Sequence, residues 1–173
     1  VLLSGGKDST YLLYQVVREY GLRPLVFSLD NGYISQEAIA NMRRMCDDLG
    51  VDLKLATTPH MNAIFADSLH RHSNVCDGCY KVIYTLSMTL AKRHNIDMII
   101  TGLARGQLFE TRLADTFRAH VFNPDTIDDW ILQARKAYHQ IPDATTELLD
   151  TQIFEDETIF DDMQFVDFYR FVD

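Results

Sequence analysis

The residues with the most chemical potential stand together near the start of the chain, as Ser4-Gly5-Gly6-Lys7-Asp8-Ser9-Thr10. Two adjacent glycines let a backbone turn tightly and approach a ligand with no Cβ in the way. A helical pattern begins at Thr10, so the turn leads into a helix N-terminus, where unpaired N–H groups and the positive dipole end favour an anion. A lysine inside the turn has no packing reason to be there, and the combination suits phosphate. It is not the Walker pattern, which needs glycine where Val1 stands and Ser or Thr where Asp8 stands. A second group is Cys76-Asp77-Gly78-Cys79, followed 22 residues after Cys79 by Thr101-Gly102. Pairs of this spacing hold metal or do redox chemistry, and three cysteines in all fit a reducing compartment, which points to the cytoplasm. Two thiols alone do not close a tetrahedral zinc or cluster site.

These groups need a frame. Apolar runs bounded by turn residues alternate with helical periodicity, the pattern of a parallel α/β sheet. Buried strands are expected at Val1-Leu2-Leu3, Pro24 to Leu29, Val51 to Ala56 and Asp97 to Ile100, and a last one over Phe168 to Asp173. Helices are expected from Thr10 to Tyr20 with Leu12, Leu13, Val16, Val17 and Tyr20 inward, and after Ser35, its cap, with Ile39, Met42, Cys46 and Leu49 inward. Cys46 is thereby a core residue. Further helices run through Met61, Ile64, Phe65 and Leu69, after the cysteine pair through Ile83, Leu86 and Leu90, and over 125–139 around Ile127, Trp130, Ile131 and Ala134.

With 173 residues, 47% of them hydrophobic and 24% charged, the chain has the composition of a globular domain that can bury roughly 70% of its unfolded surface. No apolar run approaches the ~18 residues of a membrane span. The net charge of −9 is unevenly placed. Between Asp143 and Asp173 ten acids face one base, Arg170, while residues 1–142 balance at fifteen of each. A nucleic-acid backbone calls for clustered Lys and Arg, so tRNA is not an expected partner. The acidic stretch reads as a solvated loop. The division expected is 1–122 for the phosphate-binding part and 123–173 for a helical and acidic extension, with both ends cut from a longer protein.

The Ser4 to Ser9 segment matches S-G-G-x-D-S, and through it the chain resembles the PP-loop ATP pyrophosphatase family over about residues 1–112. The resemblance implies a Rossmann-like (HUP) parallel sheet with helices on both faces. It also implies ATP chemistry, in which a substrate oxygen attacks the α-phosphate and pyrophosphate leaves. Ser4, Gly5, Gly6, Lys7, Asp8, Ser9 and Thr10 would then bind the phosphates with Mg²⁺, Lys7 and Asp8 being catalytic. Ser28 and Asp30, in the Phe27 to Asp30 strand end, would seat adenine and ribose, and Thr101 and Gly102 would complete the cofactor site. The layout of the cysteine pair before Thr101-Gly102 is similar to that of the tRNA-thiolating branch, where such cysteines hold an iron–sulfur cluster or carry sulfur. That makes Cys76 and Cys79 catalytic thiols or metal ligands. After Gly102 the pattern departs, offering Arg105 and Gln107 instead; Arg105 would hold the α-phosphate or a carboxylate, or else be a surface charge. The expected partners are a small-molecule or carrier-bound acceptor, a sulfur or ammonia donor, and a second copy of the chain. The alternatives are amide formation with zinc on the cysteines, and a nucleotide-binding module that does not react.

Overall fold

The computed structural model describes residues 1–108, 126–156 and 158–171, apart from the side chains of Arg105 and Leu108. It is a mixed α/β structure with parallel strand pairs. Strands β1 (Val26–Asp30) and β2 (Leu53–Thr57) pair with Val26 opposite Leu53 and Asp30 opposite Thr57. Strands β3 (Met98–Thr101) and β4 (Gln164–Asp167) pair with Met98 opposite Gln164 and Thr101 opposite Asp167. Residues 1–3 bond to both pairs: Phe27 N donates to Val1 O, Leu3 N to Phe27 O and Leu2 N to Ile100 O. Parallel pairing requires long crossovers, and helices supply them.

Helix α1 (Lys7–Tyr14) runs on into a π turn, Gln15–Glu19, and is followed by α2 (Gln36–Leu49), α3 (Met61–His72) and α4 (Cys76–Arg93). After β3 come α5 (Arg105–Leu108), α6 (Ile127–Gln140), α7 (Ala144–Leu148) and α8 (Ile159–Asp162). Ser35 caps α2, its side chain accepting from Ala38 N, and Gly50 closes that helix in the left-handed region at φ 68°. Asp143 caps α7 by accepting from Thr145 N and Thr146 N. The inward face of α2, Ile39, Met42 and Cys46, packs with Leu3, Leu13 and Val26, so Cys46 is core, 1% exposed. Phe27 and Leu29 meet Met61, Ile64 and Val82. Lys81 is buried within α4; its Nζ donates to Asp143 Oδ2 at 2.8 Å and to Ile141 O at 2.6 Å. Burial lowers its pKa from the ordinary lysine value, an effect the Asp143 carboxylate opposes.

Several expectations are corrected. Helix α1 starts at Lys7, three residues before Thr10, and α4 starts at Cys76, so the cysteine pair is the first helical turn and not a loop before it. Tyr20, Leu69 and Trp130 are exposed at 58%, 54% and 47%. For Tyr20 the cause is the π turn, whose N–H to Gln15 O bond spans five residues and rotates the ring off the Leu12, Leu13 and Val16 face. The last strand lies at 164–167, and Phe168–Arg170 is a 3₁₀ turn; residues 172 and 173 are outside the described residues. The acidic stretch is not a solvated loop: Phe154, Ile159, Phe160 and Met163 join the core with Met88 and Ile99, and Phe168 packs on Leu12 and Val16. Its acids Glu155, Asp156, Asp161 and Asp162 stay exposed while the interleaved apolar residues turn inward. Among the described residues, no helix is long and apolar enough to cross a membrane.

Candidate functional site

The turn after residues 1–3 is held by its own serines. Ser4 N donates to Ser9 Oγ at 3.1 Å, the two hydroxyls lie 3.0 Å apart, and Ser9 Oγ donates to Gly6 O at 3.2 Å. Gly5 sits at φ +79°, in the left-handed region that glycine enters without strain. Gly6 is the N-cap of α1 and no side chain caps the helix, in contrast to α2 and α7. A Cβ on Gly6 would meet only Ser4 Oγ, at 3.6 Å, so the backbone here is open on its outer side. The first turn of α1 thus has no side-chain cap, and the positive end of the helix dipole stands at the Gly5-Gly6 turn. Lys7 is 90% exposed and its Nζ rests 2.6 Å from Asp8 Oδ1, which raises its pKa through that hydrogen bond. Solvent screens an exposed pair of this kind, so the ammonium exchanges readily to another anion.

Beside the turn lies an open cleft of about 150 Å³. Its lining brings together Ser4, Ser9, Ser28, Thr101 and Gly102 with Tyr80 and Tyr84 of α4. Gly102 is pressed against the start of α1: a Cβ there would stand 3.1 Å from Ser9 Cα and 3.3 Å from Ser9 N. Thr101, 3% exposed, donates from Oγ1 to Asp167 Oδ1 at 2.7 Å, and Ser28 Oγ donates to Met42 Sδ at 3.4 Å. Gly5, Gly6, Lys7, Asp8 and Thr10 form the adjoining turn and helix start; Thr10 N donates to Gly6 O, the first bond of α1. Asp30 stands at the end of β1, its Oδ1 accepting from Gly32 N. Gln107 lines the cleft and its Oε1 accepts from Ala104 N. The Arg105 side chain and all of Arg112 lie outside the described residues.

The cysteines are near but not in the cleft lining. Cys76 is exposed, while Cys79 is half-buried with Asn31 Nδ2 donating to its Sγ at 3.9 Å, which places it against the loop that follows β1. Burial pushes the Cys79 thiol up, and the Asn31 contact works against that shift. Gly78 between them is a packing residue: a Cβ would lie 2.9 Å from Ser68 Cβ and 3.0 Å from Ile64 Cγ2, and its N–H donates to Ser68 Oγ. Among the described residues no third His, Cys, Asp or Glu joins the two thiols in a group that could hold a metal. Within those residues the pair is two ligands short of a closed tetrahedral site.

Sequence reasoning missed Tyr80, Tyr84, Asp167 and Tyr169, whose hydroxyl donates to Asp8 O at 2.8 Å. The two tyrosines are one helical turn apart, a spacing visible in the sequence, but only the fold shows what they face. No family model matches the chain. Over 99 residues it is 31% identical to an uncharacterized protein of Methanocaldococcus jannaschii, an alignment covering 57% of this chain and 35% of that protein. The chain therefore spans about a third of the length of the relative it matches.

Proposed function

We propose that the chain is the nucleotide-binding part of an ATP-dependent adenylating enzyme of the PP-loop class, built on a Rossmann-like sheet. The observation that carries this reading is the uncapped start of α1, opened by Gly5-Gly6 and walled by Gly102, beside a cleft lined with hydroxyls. A triphosphate tail would lie on the Ser4 to Ser9 turn, accepting from its N–H groups, with the nucleoside in the cleft between Phe27, Ser28, Tyr80 and Thr101. Ligands of parallel α/β sheets gather beyond the carboxyl ends of the strands, where β1 and β3 deliver Asp30 and Thr101. Mg²⁺ would accompany the phosphates, with Asp8 and Asp30 as the carboxylates at hand.

In the reaction a substrate oxygen attacks the α-phosphorus and the bond to the bridging oxygen of the β-phosphate breaks. Lys7, leaving Asp8, neutralises charge that builds on the departing pyrophosphate. The adenylate is then displaced. Cys79 against the loop after β1 favours a sulfur nucleophile carried on Cys76 or Cys79, with a small-molecule or carrier-bound acceptor. Amide formation with ammonia is the second reading, because the same adenylation serves it.

The test is product analysis on the purified full-length protein with candidate acceptors. AMP and pyrophosphate are expected, and ADP with phosphate refutes the reading. Lys7→Ala should lower turnover about 100-fold, as expected for a group that stabilises transition-state charge.

A further inference from the structure

Thr101 and Asp167 end the paired strands β3 and β4 and stand opposite each other in the register. Thr101 lines the cleft; Asp167 lies behind it, 5% exposed. The Asp167 carboxylate has Thr101 Oγ1 2.7 Å from Oδ1 and Arg135 Nη2 3.4 Å from Oδ2. Arg135 is itself buried, with its guanidinium 3.9 Å from the Phe165 ring centroid. A carboxylate paired with a guanidinium only accepts hydrogen bonds. The single hydroxyl proton of Thr101 is therefore committed to Asp167, and Leu103 N approaches the same oxygen at 3.4 Å. What Thr101 has left for the cleft is a lone pair. It can meet a hydroxyl or an amino group but repels a phosphate or carboxylate oxygen.

Building on the nucleotide reading above, we infer that Asp167, acting through Thr101, fixes an acceptor-only point in the cleft that selects a hydroxyl or amino donor of the bound nucleotide. Asp167 is a positioning residue, and the extension that carries it thereby sets nucleotide specificity. Burying an acceptor opposite an analogue without the donor leaves that acceptor unpaired, and such sites discriminate strongly for this reason.

The test compares ATP with 2′-deoxy-ATP, 3′-deoxy-ATP and inosine triphosphate by calorimetric titration of the full-length protein. One of the three analogues should bind about tenfold more weakly than ATP. In Asp167→Asn, whose amide can donate and so frees the Thr101 proton, that ratio should fall to within about twofold of unity. Thr101→Val should lose the discrimination likewise, and Thr101→Ser should keep it. In the ligand-free protein the Thr101 hydroxyl should give a slowly exchanging proton resonance, which keeps the geometry testable if Asp167→Asn does not fold. Equal binding of all four nucleotides, discrimination unchanged in Asp167→Asn and Thr101→Val, or absence of that resonance overturns the inference while leaving the nucleotide reading in place. Absence of any ATP binding refutes the nucleotide reading itself, and this inference with it.

Discussion

Replacing Gly102 by alanine tests how the cleft joins the Ser4 to Ser9 turn. The added Cβ would lie 3.1 Å from Ser9 Cα and 3.3 Å from Ser9 N, both backbone atoms that cannot rotate away. Carbon atoms in contact prefer about 3.5–4.0 Å, so the start of α1 must retreat by at least about 0.4 Å. Overfilling of this kind costs about 1–3 kcal/mol, which for a domain of this size lowers Tm by about 3–10 °C. The same retreat stretches the 3.1 Å bond from Ser4 N to Ser9 Oγ towards the limit of hydrogen bonding, so ATP affinity should fall about five- to tenfold. Gly6→Ala is the counterpart. Its Cβ meets only Ser4 Oγ at 3.6 Å, so stability should stay within about 0.5 kcal/mol while the methyl blocks the open side of the turn and abolishes ATP binding. Differential scanning calorimetry and titration with ATP read both quantities. An unchanged Tm in Gly102→Ala, or a Gly6→Ala protein that binds ATP as tightly as the parent, refutes the reasoning.

Gly78→Ala should cost about 3 kcal/mol in denaturant unfolding, because its Cβ would lie 2.9 Å from Ser68 Cβ and 3.2 Å from Ile64 O at the α3–α4 contact. With iodoacetamide, Cys46 should stay unmodified in the native protein. The Cys79 rate should keep rising beyond the ordinary thiol pKa, and Asn31→Ala, which removes the contact opposing that shift, should move its midpoint further up. Lys81→Met should cost about 3–5 kcal/mol, since it leaves the Asp143 carboxylate without its buried cation. The folded-state pKa of Lys81 is lowered, so the unfolded chain binds its proton more readily. The parent should therefore gain stability over Lys81→Met as pH rises from that lowered value to about 10.5, and a loss over that window would contradict the burial argument.

Much of the site could be read from the sequence because its parts are local. The glycine pair, the Ser35 cap and the inward face carrying Cys46 each depend on residues within a turn or two of one another, where spacing alone decides geometry. The cleft also collects Ser4, Ser9, Thr101 and Gly102, which stand at strand ends or helix starts, and Ser28 from the middle of β1. What stayed hidden depends on partners far along the chain. The buried place of Lys81 depends on Asp143, 62 residues on, and the hydroxyl of Thr101 is oriented by Asp167, 66 residues on. The acidic stretch misled for a different reason. Counting charge over a segment says nothing about the side from which each residue faces solvent, and its phenylalanines were core residues spaced between exposed acids.

Residues 1–3 have a kinetic consequence. Leu2 bonds to Ile100 and Leu3 to Phe27, so the chain must close a loop of nearly a hundred residues before the two strand pairs are connected. Loop closure of that length is slow to be repaid, and folding dominated by such pairings falls towards the millisecond-to-second range. The candidate cleft takes its walls from residues 1–9, from β3 and, behind Thr101, from β4, so no partial structure contains it. Its exchange-protected amides, those of Leu2 and Leu3 first, should open only with global unfolding. A ligand held there therefore stabilises every element at once: at a hundred times its Kd it would add about 2.7 kcal/mol to the stability of the entire fold.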